Sequence, residues 1–177
     1  MLKKKTMETF QKKIVIIGGG FGGINLAKGL AGNQHYDSTL VDKNNYYFFP
    51  PLIYQVATGF LEPSSISYPF RRIFRGKKNI RFRLGELLRV DAATHTCYLA
   101  DGELHYDYLV FSTGAETNYF GNEHIRQHAV PMKTLGDALN MRNRLLQTIE
   151  KASVLPDTEE RKRLLTVVVA GGGPTGV

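Results

Sequence analysis

Cysteine is almost missing from this chain of 177 residues, in which Cys97 stands alone. A single thiol excludes a disulfide framework, a C-x-x-C redox pair and a cysteine-rich metal site within the segment, and it fits a reducing compartment. Tryptophan is absent, and no apolar run approaches the roughly 20 residues that a bilayer span needs. Acid is short against base, with 16 Asp and Glu facing 23 Lys and Arg, so the formal charge is +7. That excess favours anionic partners: nucleic acid, anionic lipid or a phosphorylated cofactor. Lys3, Lys4 and Lys5 imitate the start of a signal peptide, but no apolar segment follows before Gly18. Residues 1–12 therefore read as a basic tail on a non-secreted protein with no signal peptide. The remaining composition, 42% hydrophobic, is that of a globular chain able to bury a core.

Glycine, by contrast, is concentrated where it matters. Lys13 to Gly23 reads K-I-V-I-I-G-G-G-F-G-G, a β-branched apolar run leading into Gly18, Gly20 and Gly23, the glycine positions of G-x-G-x-x-G. The run suits a buried parallel strand, and Ile24 to Ala31 reads as the helix after it. In that context the glycines serve a tight turn, close backbone approach to a pyrophosphate and close packing of helix on sheet. A second short strand, Ser38 to Val41, ends at Asp42. This acid lies about 20 residues past the motif, where a dinucleotide fold sets a carboxylate on the adenosine ribose hydroxyls. An acid there, rather than an arginine, argues against a 2′-phosphate.

Asn44 to Pro63 is aromatic and broken by Pro50, Pro51 and Gly59. It reads either as a hydrophobic plug at the sheet edge or as the wall over a flat ring, from which it would exclude water. Ser64 and Ser65 are placed to cap a helix over Ile66 to Phe74. Arg71, Arg72, Arg75, Lys77, Lys78, Arg81 and Arg83 follow closely, with no nucleic-acid-binding motif among them, and read mainly as a solvated basic face, with contact to anionic lipid or to nucleic acid as the alternatives. Asn79 to Arg83 is expected as the third parallel strand. Leu87 to Val90, Thr96 to Leu99 and Leu104 to Tyr106 are expected as a small antiparallel excursion, and Tyr108 to Phe111 as a buried returning strand. Thr113 and Gly114 follow at its carboxyl end. Lys133 to Lys151 has the periodicity of an amphipathic helix, Pro156 to Lys162 that of a polar connector. Leu164 to Ala170 reads as another β-branched strand, after which Gly171, Gly173 and Gly176 repeat the glycine spacing. Two such motifs in tandem point to two dinucleotides. Val177 falls inside the second phosphate loop, so the sequence reads as a fragment.

The order of these features resembles the two-dinucleotide flavoproteins, and within them the type II, single-subunit and non-proton-pumping NADH:quinone oxidoreductases. The likeness lies in G-G-G-F-G-G, in Y-Y-F-F-P-P-L-I-Y-Q-V-A-T-G, in Leu87 and Asp91 after Gly85, in Y-D-Y-L-V-F-S-T-G-A-E-T-N-Y-F-G and in the closing A-G-G-G-P-T-G-V. The glycine motifs mark only the superfamily; the aromatic-proline segment and G-A-E-T-N-Y-F-G are the more specific parts. The resemblance implies an α/β fold: an FAD-binding parallel sheet with an antiparallel excursion over residues 13–131, a helical connector over 132–163, and the start of an NADH domain over 164–177. It assigns Gly18, Gly19, Gly20, Phe21, Gly22 and Gly23 to the FAD pyrophosphate, Asp42 and Lys43 to the adenosine ribose, and Tyr47 to a place further along the cofactor. Leu87 falls at the adenine, Thr113 and Gly114 near the pyrophosphate. Pro51, Tyr54 and Gln55 fall near the flavin ring, and Gly171, Gly173 and Gly176 in the NADH loop.

The chemistry so implied is hydride transfer from NADH to FAD and electron transfer onward to a quinone, with no catalytic side chain and no metal in this segment. The implied setting is the cytoplasmic face of the inner membrane, peripherally bound, as a homodimer and without nucleic acid. His35, His95, His105, His124 and His128 read as structural or surface residues. Flavin disulfide reductases and sulfide:quinone oxidoreductases need reactive cysteines that this pattern lacks. A ferredoxin or rubredoxin reductase is the enzymatic alternative, and a truncated non-catalytic flavin-binding fragment the other.

Overall fold

The computed structural model describes residues 11–173. The chain forms two compact units, Met1–Tyr47 with Tyr68–Ala115, and Phe48–Ser67 with Glu116–Val177.

The first unit is built on the strand before the glycines. β1 (Lys12–Ile17) pairs in parallel with β2 (Tyr36–Asp42) on one side and β9 (Tyr108–Phe111) on the other, and β5 (Ile80–Leu84) joins beyond β2. The resulting order is β5-β2-β1-β9. Alternation along β1 divides the core in two, because successive side chains of a strand point to opposite faces. Ile14 and Ile16 join Leu40 and Ile80 under α1 (Phe21–Leu30), against Ile24, Ala27, Phe70 and Phe74. Val15, Ile17 and Val41 face the other way, onto Cys97 and Leu99. Those two residues lie in β7 (Thr96–Leu99), the middle strand of an antiparallel sheet with β6 (Leu87–Asp91) and β8 (Gly102–His105). A parallel sheet covered on both faces is the arrangement that a continuous apolar strand requires. Ile16 and Leu40 are fully buried, each contributing about 1.5–3 kcal/mol of transfer free energy.

Polar groups brace the ends of this sheet. Buried Asn79 accepts from the Gly32 amide at 2.7 Å and donates to the carbonyls of Leu30 and Asn33, fixing the turn after α1. Asp107 accepts from the Lys13 amide at 2.7 Å and from Lys12 Nζ at 3.0 Å, which holds its carboxyl below the usual range. Ser38 is different. It is fully buried in β2 and its hydroxyl has no partner among the described residues. Because an unpaired buried hydroxyl costs more than it returns, Ser38→Ala should leave stability unchanged or raise it by about 1 kcal/mol, read by urea denaturation.

Four local expectations are corrected. The helix expected over Ile66 to Phe74 is split into α3 (Pro63–Ile66), β4 (Ser67–Pro69) and α4 (Phe70–Ile73). Pro69 is the cause, since it disfavours helix at Tyr68, and the chain there pairs instead with β3 (Tyr46–Phe48). β9 is an edge strand, not a buried one: Tyr108 and Phe111 are more than half exposed because no strand lies beyond it among the described residues. The connector over Pro156 to Lys162 contains the start of α7 (Glu159–Leu165), capped by the Thr158 hydroxyl. Leu164 and Leu165 end that helix, and 166–170 has no ladder among the described residues. A parallel strand takes its hydrogen bonds from neighbours, and β-branched sequence cannot replace them.

The second unit holds a turn at Pro50–Leu52, α2 (Ile53–Ala57), α5 (Glu123–His128), α6 (Leu135–Ser153) and α7. α6 starts at a capping box in which the Thr134 hydroxyl accepts from the Asp137 amide and the Asp137 carboxylate from the Thr134 amide, pairing N–H groups that the helix leaves open at its start. Ile53, Val56 and Ala57 of α2 are buried, and α2 packs on α6.

Candidate dinucleotide site

The glycine turn between β1 and α1 sorts its residues by the space around them. A methyl group on Gly18 would meet the Ser112 carbonyl, one on Gly19 the tip of the Phe70 ring, and one on Gly23 the carbonyl oxygen of Gly18. Gly18 also has a φ of +98°, a left-handed conformation that favours glycine. These three positions are closed by the protein itself. Gly20 is open: nothing lies within 4 Å of a methyl group built there. At Gly22 the first neighbour is the Ser112 side chain at 3.9 Å. Gly20 is the N-cap of α1, with no side chain capping it, and Phe21 beside it is more than half exposed. Helix geometry aims the first-turn amides of α1 into that open space, where they and the positive end of the helix favour an anion.

Asp42 borders the same space from the end of β2. Its Oδ2 accepts from the Gly19 amide at 2.6 Å and its Oδ1 from the Asn44 amide at 2.7 Å. The carboxylate is thereby fixed to the loop at one oxygen and to its own turn at the other, with a second lone pair left on each. Lys43 follows, exposed to solvent. The Gly85 amide donates to the Asp42 carbonyl at 3.0 Å, which brings the start of β6 and Leu87 toward β2. Leu87 pairs with Leu99, and an irregularity separates it from Arg89. On the other flank the Ser112 amide bonds the Ile17 carbonyl at 2.7 Å, so Thr113 and Gly114, with φ +71° at the glycine, leave the sheet beside Gly18.

The remaining predicted positions are not part of the glycine turn. Tyr47 lies in β3, packed against the core, and burial pushes its phenol up. Pro51, Tyr54 and Gln55 belong to the second unit, where Gln55 Nε2 donates to the Tyr54 hydroxyl at 2.9 Å. Gly171 and Gly173 are exposed in that unit, Gly171 with a φ of +114°. Gly176 lies outside the described residues. Burial pushes the Cys97 thiol up and it has no second cysteine to meet, so it is an inert core residue. Among the described residues no group of His, Cys, Asp or Glu is arranged to hold a metal, and no helix is long and apolar enough to cross a membrane.

Two residues central to the turn were not apparent from the motif. Ser112 underlies Gly18, Gly22 and Gly23, and Phe70 fills the place of a Gly19 side chain. The glycine at position 19, beyond the three that G-x-G-x-x-G demands, was the available signal that something large packs there.

Residues 12–177 match the family described as Pyridine nucleotide-disulphide oxidoreductase. The chain is 46% identical to the Type II NADH:quinone oxidoreductase NdhA of Mycobacterium tuberculosis, over 93% of this chain and 36% of that protein. Among solved structures it resembles NDH2 from Plasmodium falciparum in complex with RYL-552, with a TM-score of 0.84, 34% identity, and coverage of 94% of this chain and 35% of that one. NDH2 of the same organism in complex with NADH gives a TM-score of 0.76 at 29% identity, covering 86% and 32%. The chain thus spans about a third of the length of the relatives it matches.

Proposed function

The chain belongs to the pyridine nucleotide-disulphide oxidoreductase family, and on that footing we propose that it supplies the flavin-holding part of an enzyme passing electrons from NADH through FAD to a quinone. The observation that carries the reading is the open cradle at Gly20 and Gly22, bordered by the doubly bonded Asp42 carboxylate. Its amide donors suit a pyrophosphate, and the acceptor lone pairs of Asp42 suit the ribose hydroxyls next to it. In this reading Gly18, Gly19 and Gly23 shape the turn, Gly20, Phe21 and Gly22 present the phosphate surface, and Thr113 and Gly114 close the far side. Lys43 lies by the ribose, Leu87 by the adenine, and Tyr47 further along. FAD held by these residues would supply the redox chemistry, taking hydride from NADH and passing electrons to a quinone. Pro51, Tyr54 and Gln55 would border the ring, and Gly171, Gly173 and Gly176 would begin the NADH loop. The buried lone Cys97 favours this over a reductase working through a cysteine pair in this segment.

The same reading sets the protein peripherally at the cytoplasmic face of the inner membrane, because a quinone dissolved in the bilayer is met at its surface. A homodimer is part of it on the resemblance alone. The test is an anaerobic titration of the complete parent chain followed by flavin absorption. NADH should bleach the flavin and a water-soluble quinone should restore it. Restoration only by a ferredoxin-type carrier would transfer the protein to that class of reductase, and absence of bound flavin would end the redox reading.

A further inference from the structure

The basic stretch between Glu62 and Glu86 has no part in the reading above. It holds seven cations and no acid, and the structure divides them. Arg81 pairs with Asp37 at 2.6 Å and Arg83 with Asp101 at 2.9 Å. Arg71 lies over the Phe82 ring and Arg72 over Tyr68, with the guanidinium carbons 5.0 and 5.2 Å from the ring centres. Arg75, Lys77 and Lys78 have no side-chain hydrogen bond, ion pair or ring contact among the described residues, and all three are exposed. They are not on a loose loop. Phe70 and Phe74 are buried on either side of α4, the Lys77 amide bonds the Phe74 carbonyl at 3.0 Å, and Gly76 turns the chain at φ +79°.

Cofactor phosphate does not account for these charges. The turn enters β5 at Ile80, the amino end of the strand, whereas Asp42 sits level with Leu84 at the carboxyl end. Four residue steps of strand separate the two edges by about 13 Å. From this we infer that Arg75, Lys77 and Lys78, with Arg71 and Arg72 beside them, form a docking surface for the anionic headgroups of a bilayer. The run carries no nucleic-acid-binding motif. It carries a half-exposed tyrosine under Arg72, and an aromatic ring with a polar tip suits the headgroup layer. The choice of a bilayer rests on the proposed reaction, whose quinone is lipid-soluble; the presence of a cationic surface does not.

Near an anionic membrane each cation contributes about fivefold to partition, less as salt screens it. The test is cosedimentation of the flavin-loaded parent chain with phosphatidylcholine vesicles, with and without a quarter of phosphatidylglycerol. The chain should prefer the anionic vesicles, and R75Q/K77Q/K78Q should lose on the order of tenfold or more of that preference at low salt. R75K/K77R/K78R should keep it, and unchanged circular dichroism and flavin content report that the variants fold. Equal binding of the glutamine variant, or no preference for phosphatidylglycerol, overturns the inference. Stronger, competing binding of an oligonucleotide at the same residues also overturns it, in favour of nucleic acid. Bleaching of the same preparations by NADH reports on the redox reading separately, so either can fail alone.

Discussion

Gly20→Ala should leave the chain about as stable as the wild type while weakening its hold on FAD, whereas Gly23→Ala should damage both. The two glycines stand three residues apart in one motif, yet their surroundings are opposite. Gly20 has a φ of −66° and a ψ of −164°, open to any residue, and a methyl group there meets nothing within 4 Å. The fold therefore has little to lose, beyond the fraction of a kcal/mol by which alanine is a poorer N-cap than glycine. What the methyl group does enter is the space left over the first turn of α1. If that space receives the pyrophosphate, overcrowding of about 1–3 kcal/mol weakens FAD binding roughly ten- to hundredfold. Flavin fluorescence on titration of the apoprotein measures the one quantity and urea denaturation the other.

At Gly23 the obstacle is the carbonyl oxygen of Gly18, a backbone atom that no rotamer change can move aside. The turn must open or α1 must lift from the sheet, and Ile24 and Ala27 go with it out of the core. A loss of about 3 kcal/mol or more is expected, with flavin binding gone as a consequence. Should Gly20→Ala bind FAD as well as the wild type, the open cradle is not the phosphate site, whatever happens at Gly23.

The contrast also shows what the sequence could and could not disclose. The strand, turn and helix around Gly18 to Gly23 and the short strand that ends at the acid Asp42 follow from local periodicity and spacing. Those features are set by residues near one another in the chain. Phe70 and Ser112 are not: they reach the glycines only after β4 and β9 have formed. The helix expected over Ile66 to Phe74 failed at Pro69, where a single ring outweighs an amphipathic pattern of nine residues. In 166–170 the pattern was of a strand, but pairing is a property of neighbours, and the described residues offer none.

Asp42→Ala is expected to weaken FAD binding by tenfold to a hundredfold or more, and Asp42→Asn to do nearly as much. Removal of the carboxylate takes away the acceptor of the Gly19 amide and that of the Asn44 amide together. Hydrogen bonds to a charged group are worth about 1.5–3 kcal/mol, and the Gly19 amide is partly buried, so the loop loses its tie to β2 before any ligand arrives. Asparagine preserves shape but not function here. Both carboxylate oxygens face backbone N–H groups, and an amide has only one oxygen, so its NH2 must point at a donor whichever way it turns. The ribose hydroxyls would in addition exchange a charged acceptor for a neutral one. Measured as FAD affinity and as urea midpoint, the two variants should therefore fall close together. An Asp42→Asn chain that binds FAD like the wild type would mean that only one of the two amide contacts supports the loop, and that the carboxylate's charge is not what the cofactor requires.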